Sequence, residues 1–311
     1  VIVVRHAGER LEIQCHGGIA APAAVLASLE AAGARIVPWQ EWLGDEGGDS
    51  CAALALQHLP QARGPKAARI LARQAAGALD LEIGRVAGVM AGGDADAGTR
   101  AANRLRAAAR VGLRLTCPWR IVLAGEVNAG KSSLMNALVG HGRSIVSPLE
   151  GTTRDIVTAR TVLDGWEVEI VDVAGTRGDE TAVSTIERAG IERALAERAL
   201  ADLVLRVIPA DAAAGGGGPA AGHELLVLTK ADLATEATLA AATAAGAGAI
   251  VTSAVTGAGV DTLIAAIVER LVPEERLDPD LLAGAVPFTR RQLDAIETLV
   301  GPPRSGAGEQ P

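Results

Sequence analysis

Gly125-Glu126-Val127-Asn128-Ala129-Gly130-Lys131-Ser132 is the stretch from which the rest of this 311-residue chain can be read. It follows an apolar run, Ile121-Val122-Leu123-Ala124, and opens into Ser133-Leu134-Met135-Asn136-Ala137-Leu138-Val139, whose apolar residues have helical spacing. Strand, glycine-rich loop and helix, in that order, are the setting in which G-x-x-x-x-G-K-[ST] binds phosphate. Gly125 and Gly130 let the backbone N–H groups of the loop, with those of Ala129 and Ser133, close around phosphate oxygens. The start of the helix adds its positive dipole end. Lys131 reaches the β- and γ-phosphates, and Ser132 supplies a hydroxyl to Mg²⁺. Composition argues against a chance match: the chain has three lysines, Lys66, Lys131 and Lys230, and two of them fall in nucleotide-binding motifs. The stretch predicts a nucleoside triphosphate site.

Composition narrows the rest. The length suits about two domains, and 49% hydrophobic residues suffice for a packed core. Aromatic residues make up 2% of the chain, with no tyrosine, which removes the usual stacking platform for single-stranded nucleic acid. A formal charge of −8 gives no general attraction to RNA or to a membrane surface. Cys15, Cys51 and Cys117 are odd in number and far apart, which argues against a disulfide framework, and with His16 and His58 they lack zinc-site spacing. No apolar run approaches the roughly 18 residues of a membrane span and no signal peptide is visible, so a soluble, cytoplasmic protein is expected. Val1 falls inside a strand-like run rather than at a methionine, which leaves open both a fragment and a full chain.

Taken in order, residues 1–4 and 11–14 read as short strands, 22–32 as a helix closed by Gly33, and Arg35-Ile36-Val37 as a further strand. Residues 1–50 thus predict a partial small α+β domain. Residues 51–117 read as helical over 51–59, 66–90 and 98–115; arginines 100, 104, 106, 110 and 114 form a solvated face or an RNA-facing patch. Pro118 opens an α/β domain over 118–273. Its strands are expected at 120–124, 157–163, 166–172, 203–208, 224–229 and 249–253, and its helices after the phosphate loop, near 183–200 and over 260–271. Asp164-Gly165 is a hairpin turn signal, so one antiparallel pair should edge a mainly parallel sheet. Between the strands at 203–208 and 224–229, a glycine-rich crossover of bare minimum length predicts a flexible loop. Residues 274–300 resume a helical pattern, and 301–311 read as a disordered tail.

Downstream motifs choose the base. Asp172-Val173-Ala174-Gly175 ends a strand, where Asp172 can hold Mg²⁺ through water and the Gly175 amide can sense the γ-phosphate. Gly151-Thr152-Thr153-Arg154-Asp155 lies where a switch loop must cover the triphosphate, with Thr153 as a second hydroxyl ligand for Mg²⁺. Thr229-Lys230-Ala231-Asp232 follows a strand, and the Asp232 carboxylate can accept from guanine N1–H and the 2-amino group, a donor pair that adenine lacks. Ser253-Ala254 then brings a backbone N–H toward the guanine 6-oxo group. Five elements in order predict a GTPase.

G-x-x-N-A-G-K-S-S-L-x-N-A-L followed by G-T-T-R-D resembles the tRNA modification GTPase family (MnmE, also called TrmE), among the TrmE-Era-EngA-like P-loop GTPases. Ile186–Ala194 resembles that family's helix after the D-x-x-G motif, Leu11–Gly18 and Ala32–Arg35 its folate-binding domain, and Arg290–Ala295 the helix where the chain re-enters its helical domain. The resemblance implies a P-loop GTPase domain inserted in a helical domain (51–117 with 274–300), preceded by a partial N-terminal domain. It implies a K⁺-stimulated GTPase in which Asn128, Thr152 and backbone groups near Ser147 and Leu149 hold K⁺. Glu187 would then orient the attacking water, with Lys131 and Thr153 completing the catalytic set. It also implies homodimerisation, a flavoprotein partner (MnmG/GidA-like), tRNA as substrate, wobble uridine (U34) as the modified base, and 5-formyl-tetrahydrofolate near Glu12.

Some residues depart from the family pattern. The folate domain's G-E-F-x-x-R-A-F-x-N-x-K block is replaced near Arg35 by Pro38-Trp39-Gln40-Glu41-Trp42-Leu43, and no cysteine follows Cys117. Thr229 stands in place of asparagine. Two further readings therefore stay open: a regulatory GTPase that no longer modifies tRNA, and a ribosome-assembly GTPase.

Overall fold

The computed structural model describes residues 1–6, 11–39, 41, 50–141, 156–173, 192, 195–212, 223–245, 248–273 and 282–301. Within these, a six-stranded sheet has the order β4-β5-β3-β6-β7-β8. Its strands are β3 (Trp119–Ala124), β4 (Ile156–Leu163), β5 (Trp166–Val173), β6 (Leu203–Pro209), β7 (Glu224–Thr229) and β8 (Ile250–Val251). β3 pairs in parallel with β5 and β6, with Val122 opposite Val171 and Val204. Only β4 runs antiparallel, to β5. The central strands are buried on both faces, so Ile121-Val122-Leu123 reads as a continuous apolar run rather than an alternation.

The hairpin falls where the sequence places it. Asp164 (φ 43°) and Gly165 (φ 84°) both adopt the left-handed conformation, as a two-residue turn matched to strand twist requires. β8 is shorter than the expected 249–253. The Thr252 amide still bonds Leu228, but the Ser253 amide turns away to Ala258, and the ladder ends there. The β6–β7 crossover is parallel; its residues 213–222 lie outside the described residues.

The sheet carries α6 (Lys131–His141), α7 (Glu236–Ala245) and α8 (Val260–Leu271). α8 buries Val260, Leu263, Ile264, Ile267 and Leu271, a stripe of 3–4 residue spacing. α7 is absent from the sequence reading: Glu236-Ala-Thr-Leu and the alanines after it have helix propensity but no apolar stripe to announce one. Of the helix expected over 183–200, residues 192 and 195–200 are described; 192 and 195–199 are helical and 200 is a turn.

Residues 51–112 fold into α2 (Cys51–His58), α3 (Pro65–Ala75), α4 (Ala78–Ala91) and α5 (Ala95–Gly112). The single helix expected over 66–90 is two helices, because Gly77 at φ 91° breaks the chain between them. α5 starts before residue 98, where the Asp94 carboxylate caps it by accepting from the Ala97 amide at 2.9 Å. In place of one helix over 274–299, residues 285–288 carry no helix, and α9 (Arg290–Val300) begins at a Thr289–Gln292 capping box. α9 packs against α4 and α5. Gln74, fully buried on α3, donates to Gly284 O at 3.1 Å and accepts from the Val286 amide at 3.1 Å. One apolar core runs from these helices, through Trp119 and Ile121, into the sheet.

The N-terminal residues form β1 (Ile2–Arg5), β2 (Leu11–Gln14) and α1 (Ala20–Ala31). The strand expected at 35–37 is absent: residues 34–38 have no regular structure, and Ile36 lies exposed beside Pro38. No described residue before Cys51 is buried.

Candidate functional site

The phosphate loop joins β3 to α6 at the carboxyl end of the sheet. Gly125 has to be glycine, since a Cβ there would stand 2.3 Å from Val207 O on β6. Gly130 takes φ 92° and Asn128 φ 64°, left-handed conformations that glycine and, among other residues, asparagine tolerate best. Two turns of the loop are thereby set before any ligand arrives. Asn128 is exposed, and Ala129 is buried beneath the loop.

Lys131 sits at the start of α6, only 7% exposed. Its Nζ donates to Gly125 O at 3.0 Å and to Glu126 O at 2.9 Å, so the loop folds back around its own ammonium. Burial lowers the Lys131 pKa from 10.5, and the nearby Asp172 carboxylate pulls it back up. Ser132 Oγ donates to Asp172 Oδ2 at 2.6 Å, joining the helix start to the end of β5. Asp172 Oδ1 is buried and has no hydrogen-bond partner among the described residues. A buried carboxylate oxygen left open beside a serine hydroxyl and a lysine is the hard-oxygen arrangement that suits Mg²⁺ carrying a triphosphate. Ser133 is exposed one residue further on.

The base-side motif meets the same loop from β7. Thr229 is buried, and its Oγ1 donates to Ala129 O at 2.5 Å, bridging residues 100 apart in sequence. Lys230 adopts φ 58°, a strained conformation for a lysine. Its Cε would lie 3.9 Å from a Cβ placed on Gly130, so its stem crosses the phosphate loop. Asp232 Oδ1 accepts from Ser253 Oγ at 2.6 Å. Ser253 Oγ itself accepts from the Thr256 amide at 3.2 Å, and the Ala231 amide bonds Thr252 O at 3.1 Å. These bonds aim an exposed carboxylate from a fixed base, with Ala254 beside it.

Ala129, Gly130, Lys131, Ser132, Asp172, Thr229, Lys230, Asp232, Ser253 and Ala254 thus converge at the carboxyl ends of β3, β5, β7 and β8. The bond from Thr229 to Ala129 O is the feature that sequence reasoning missed. Ser147, Leu149, Thr152, Thr153, Gly175 and Glu187 lie outside the described residues. Glu12 lies apart, on β2. Its Oε2 is 2.8 Å from His6 Nε2, and its Oε1 accepts from Gln14 Nε2 at 2.8 Å. Both carboxylate oxygens are therefore engaged within the chain.

Residues 120–233 match the family model described as 50S ribosome-binding GTPase. The tRNA modification GTPase MnmE of Methylorubrum populi is 45% identical over 158 residues, which are 51% of this chain and 33% of that protein. The MnmE of Methylobacterium sp. (strain 4-46) is 38% identical over 224 residues, 62% of this chain and 48% of that one. The MnmE of Nitratidesulfovibrio vulgaris (strain Hildenborough) is 41% identical over 155 residues, 47% of this chain and 33% of its own. The chain therefore spans between a third and a half of the length of these curated relatives. Among solved structures, the cytosolic domain of the T. maritima FeoB iron transporter in its GMPPNP form is 26% identical; the match covers 50% of this chain and 64% of that one, at a TM-score of 0.35 too low to carry weight. Phosphate loop, sheet order and relatives agree: the chain carries a P-loop GTPase domain and is related in sequence to the tRNA modification GTPases MnmE.

Proposed function

We propose that this chain binds GTP with Mg²⁺ and hydrolyses it to GDP and phosphate, in the service of wobble-uridine modification of tRNA. The observation that carries the reading is the junction of Lys131, Ser132 and Asp172 with the Thr229–Asp232 segment on one edge of the sheet. Lys131 exchanges its two loop carbonyls for the β- and γ-phosphate oxygens, keeping its charge-assisted bonds. Ser132 and Asp172 would hold Mg²⁺, which when bound neutralises charge on the triphosphate. Asp232 selects guanine, because adenine would leave its carboxylate without the paired donors. Thr153 would give Mg²⁺ its second hydroxyl, the Gly175 amide would sense the γ-phosphate, and Glu187 would orient the attacking water. Asn128 is exposed at a fixed left-handed turn and would ligate K⁺ with Thr152 and the backbone near Ser147 and Leu149. On this reading the GTPase domain is inserted between 51–117 and 274–300, forms a homodimer through its K⁺-bound face, and works with a flavoprotein partner.

Glu12 is the residue that the resemblance ties to 5-formyl-tetrahydrofolate. Its half-exposed carboxylate meets His6 and Gln14 and keeps lone pairs that would accept from a pterin. The Pro38–Leu43 stretch that stands in place of the family's folate block favours a second reading, a regulatory GTPase that does not itself modify tRNA. Deleting the gene and measuring wobble-uridine modification by mass spectrometry of tRNA separates the two. The hydrolysis itself is tested by rates in K⁺ against Na⁺: the reading expects roughly tenfold or more slowing in Na⁺, about 1.4 kcal/mol of barrier. Equal rates would remove the role given to Asn128.

A further inference from the structure

A cleft of about 820 Å³ opens where α5 and α9 meet β3 and α8, away from the phosphate loop. Five arginines line it: Arg106, Arg110, Arg114, Arg270 and Arg290. In a chain with a formal charge of −8 this is a concentration of positive charge against the general field. The one acid in the lining, Asp202, is already occupied. It pairs with Arg114 and accepts from the Arg120 amide at 2.8 Å. Arg114 also stacks over the Trp119 ring at 5.3 Å, and Arg270 donates to Glu224 O at 3.3 Å. Arg110 and Arg290 are exposed and have no ionic partner among the described residues. Arg106 donates to Asn103 Oδ1 and Gly301 O, but its Nε is buried without a hydrogen bond, with the Glu297 carboxylate no nearer than 3.7 Å. The indole N–H of Trp119 is likewise buried without an acceptor among the described residues. The wall is rich in donors and poor in acceptors.

Planar guanidinium groups in such a wall recognise phosphoryl oxygens by paired hydrogen bonds. The size is that of a small-molecule pocket, and its position between structural units is where such pockets concentrate. The geometry points to a phosphoryl-anion site in this cleft, separate from the nucleotide site, with Arg110 and Arg290 as its free anchors. The anchors stand on α5 and at the start of α9, while Trp119 belongs to the first strand of the GTPase domain. An anion held there ties the helical region to that domain.

Cys117 lines the cleft and is exposed, which supplies a reporter. In a Cys15→Ser background, Cys117 alkylation by iodoacetamide is followed by mass spectrometry with excess GDP and Mg²⁺ present, so that the phosphate loop is filled. The probes are inorganic pyrophosphate and a short single-stranded RNA, tested separately. Protection by pyrophosphate identifies a small phosphorylated ligand; protection by RNA alone identifies a nucleic-acid backbone as the source of the same phosphoryl group. In Arg110→Gln/Arg290→Gln, the half-protecting concentration is expected to rise roughly tenfold or more, with GDP affinity unchanged. The single variants, both at exposed positions, should each give part of that rise. Protection by neither probe, or protection unchanged in the double variant, overturns the site.

Discussion

Thr229 stands where the resembling family has asparagine, and its hydroxyl reaches the phosphate loop through the bond to Ala129 O. Replacing it with valine keeps the shape and leaves that carbonyl without its partner, a change worth about 1–3 kcal/mol. Thr229→Val is therefore expected to weaken GDP binding roughly tenfold in titration calorimetry while the protein still folds; unchanged affinity would show the bond to be incidental. The gathering of Lys131, Ser132, Asp172 and Asp232 at one end of the sheet was legible from spacing, because each stands in a motif at or just after the end of a strand. The bond between Thr229 and Ala129 was not, since it depends on how two loops 100 residues apart come to rest. Nor was the engagement of Glu12 by Gln14, on its own strand, and by His6, just past β1.

Elements with strong local signals are legible in the sequence. The Asp164-Gly165 turn announces itself because both positions need positive φ, and the apolar run of β3 because a doubly covered strand alternates no longer. Gly77 is a single glycine in a helical pattern that predicts one helix over 66–90, where the structure has two. β5, expected at 166–172 and observed over Trp166–Val173, buries charge. Glu167 is buried, and burial pushes its carboxyl above the ordinary 4.5, with Glu169 adding to the rise while Arg63 and Arg160 pull it down. Because the folded pKa lies above the unfolded one, ionised Glu167 opposes folding above that folded pKa. The penalty is relieved as pH falls through it toward 4.5. Glu167→Gln should thus melt higher than the parent at about pH 7.5, and the difference should shrink as the pH is lowered. Circular dichroism melts across that range check it, and a lower melting point at neutral pH would contradict it.

At the scale of the whole molecule, the helical region grips the GTPase domain at the tip of its hairpin. A Cβ on Gly64 would stand 2.4 Å from Gly165 O, so the approach of the two backbones requires glycine there. Beside it, Lys66 Nζ meets Asp164 Oδ2 at 2.7 Å, with both side chains substantially exposed. Exposed pairs contribute at most about 1 kcal/mol, whereas forcing a methyl into a packed backbone contact costs about 1–3 kcal/mol. Gly64→Ala is therefore expected to lower thermal stability more than Lys66→Ala, and the reverse order would place the grip in the ion pair. None of this joint was visible in the sequence, where Gly64 and Lys66 merely precede a helix. The central claim is that this assembly presents a guanine nucleotide site, and it is tested most directly by measuring GTP and ATP affinities of the parent and of Asp232→Asn under the same conditions. The parent should bind GTP about a hundredfold or more tighter than ATP, and Asp232→Asn should lose most of that preference by weakening GTP alone. Equal affinities for the two nucleotides in the parent, or GTP binding unaffected by Asp232→Asn, would contradict it.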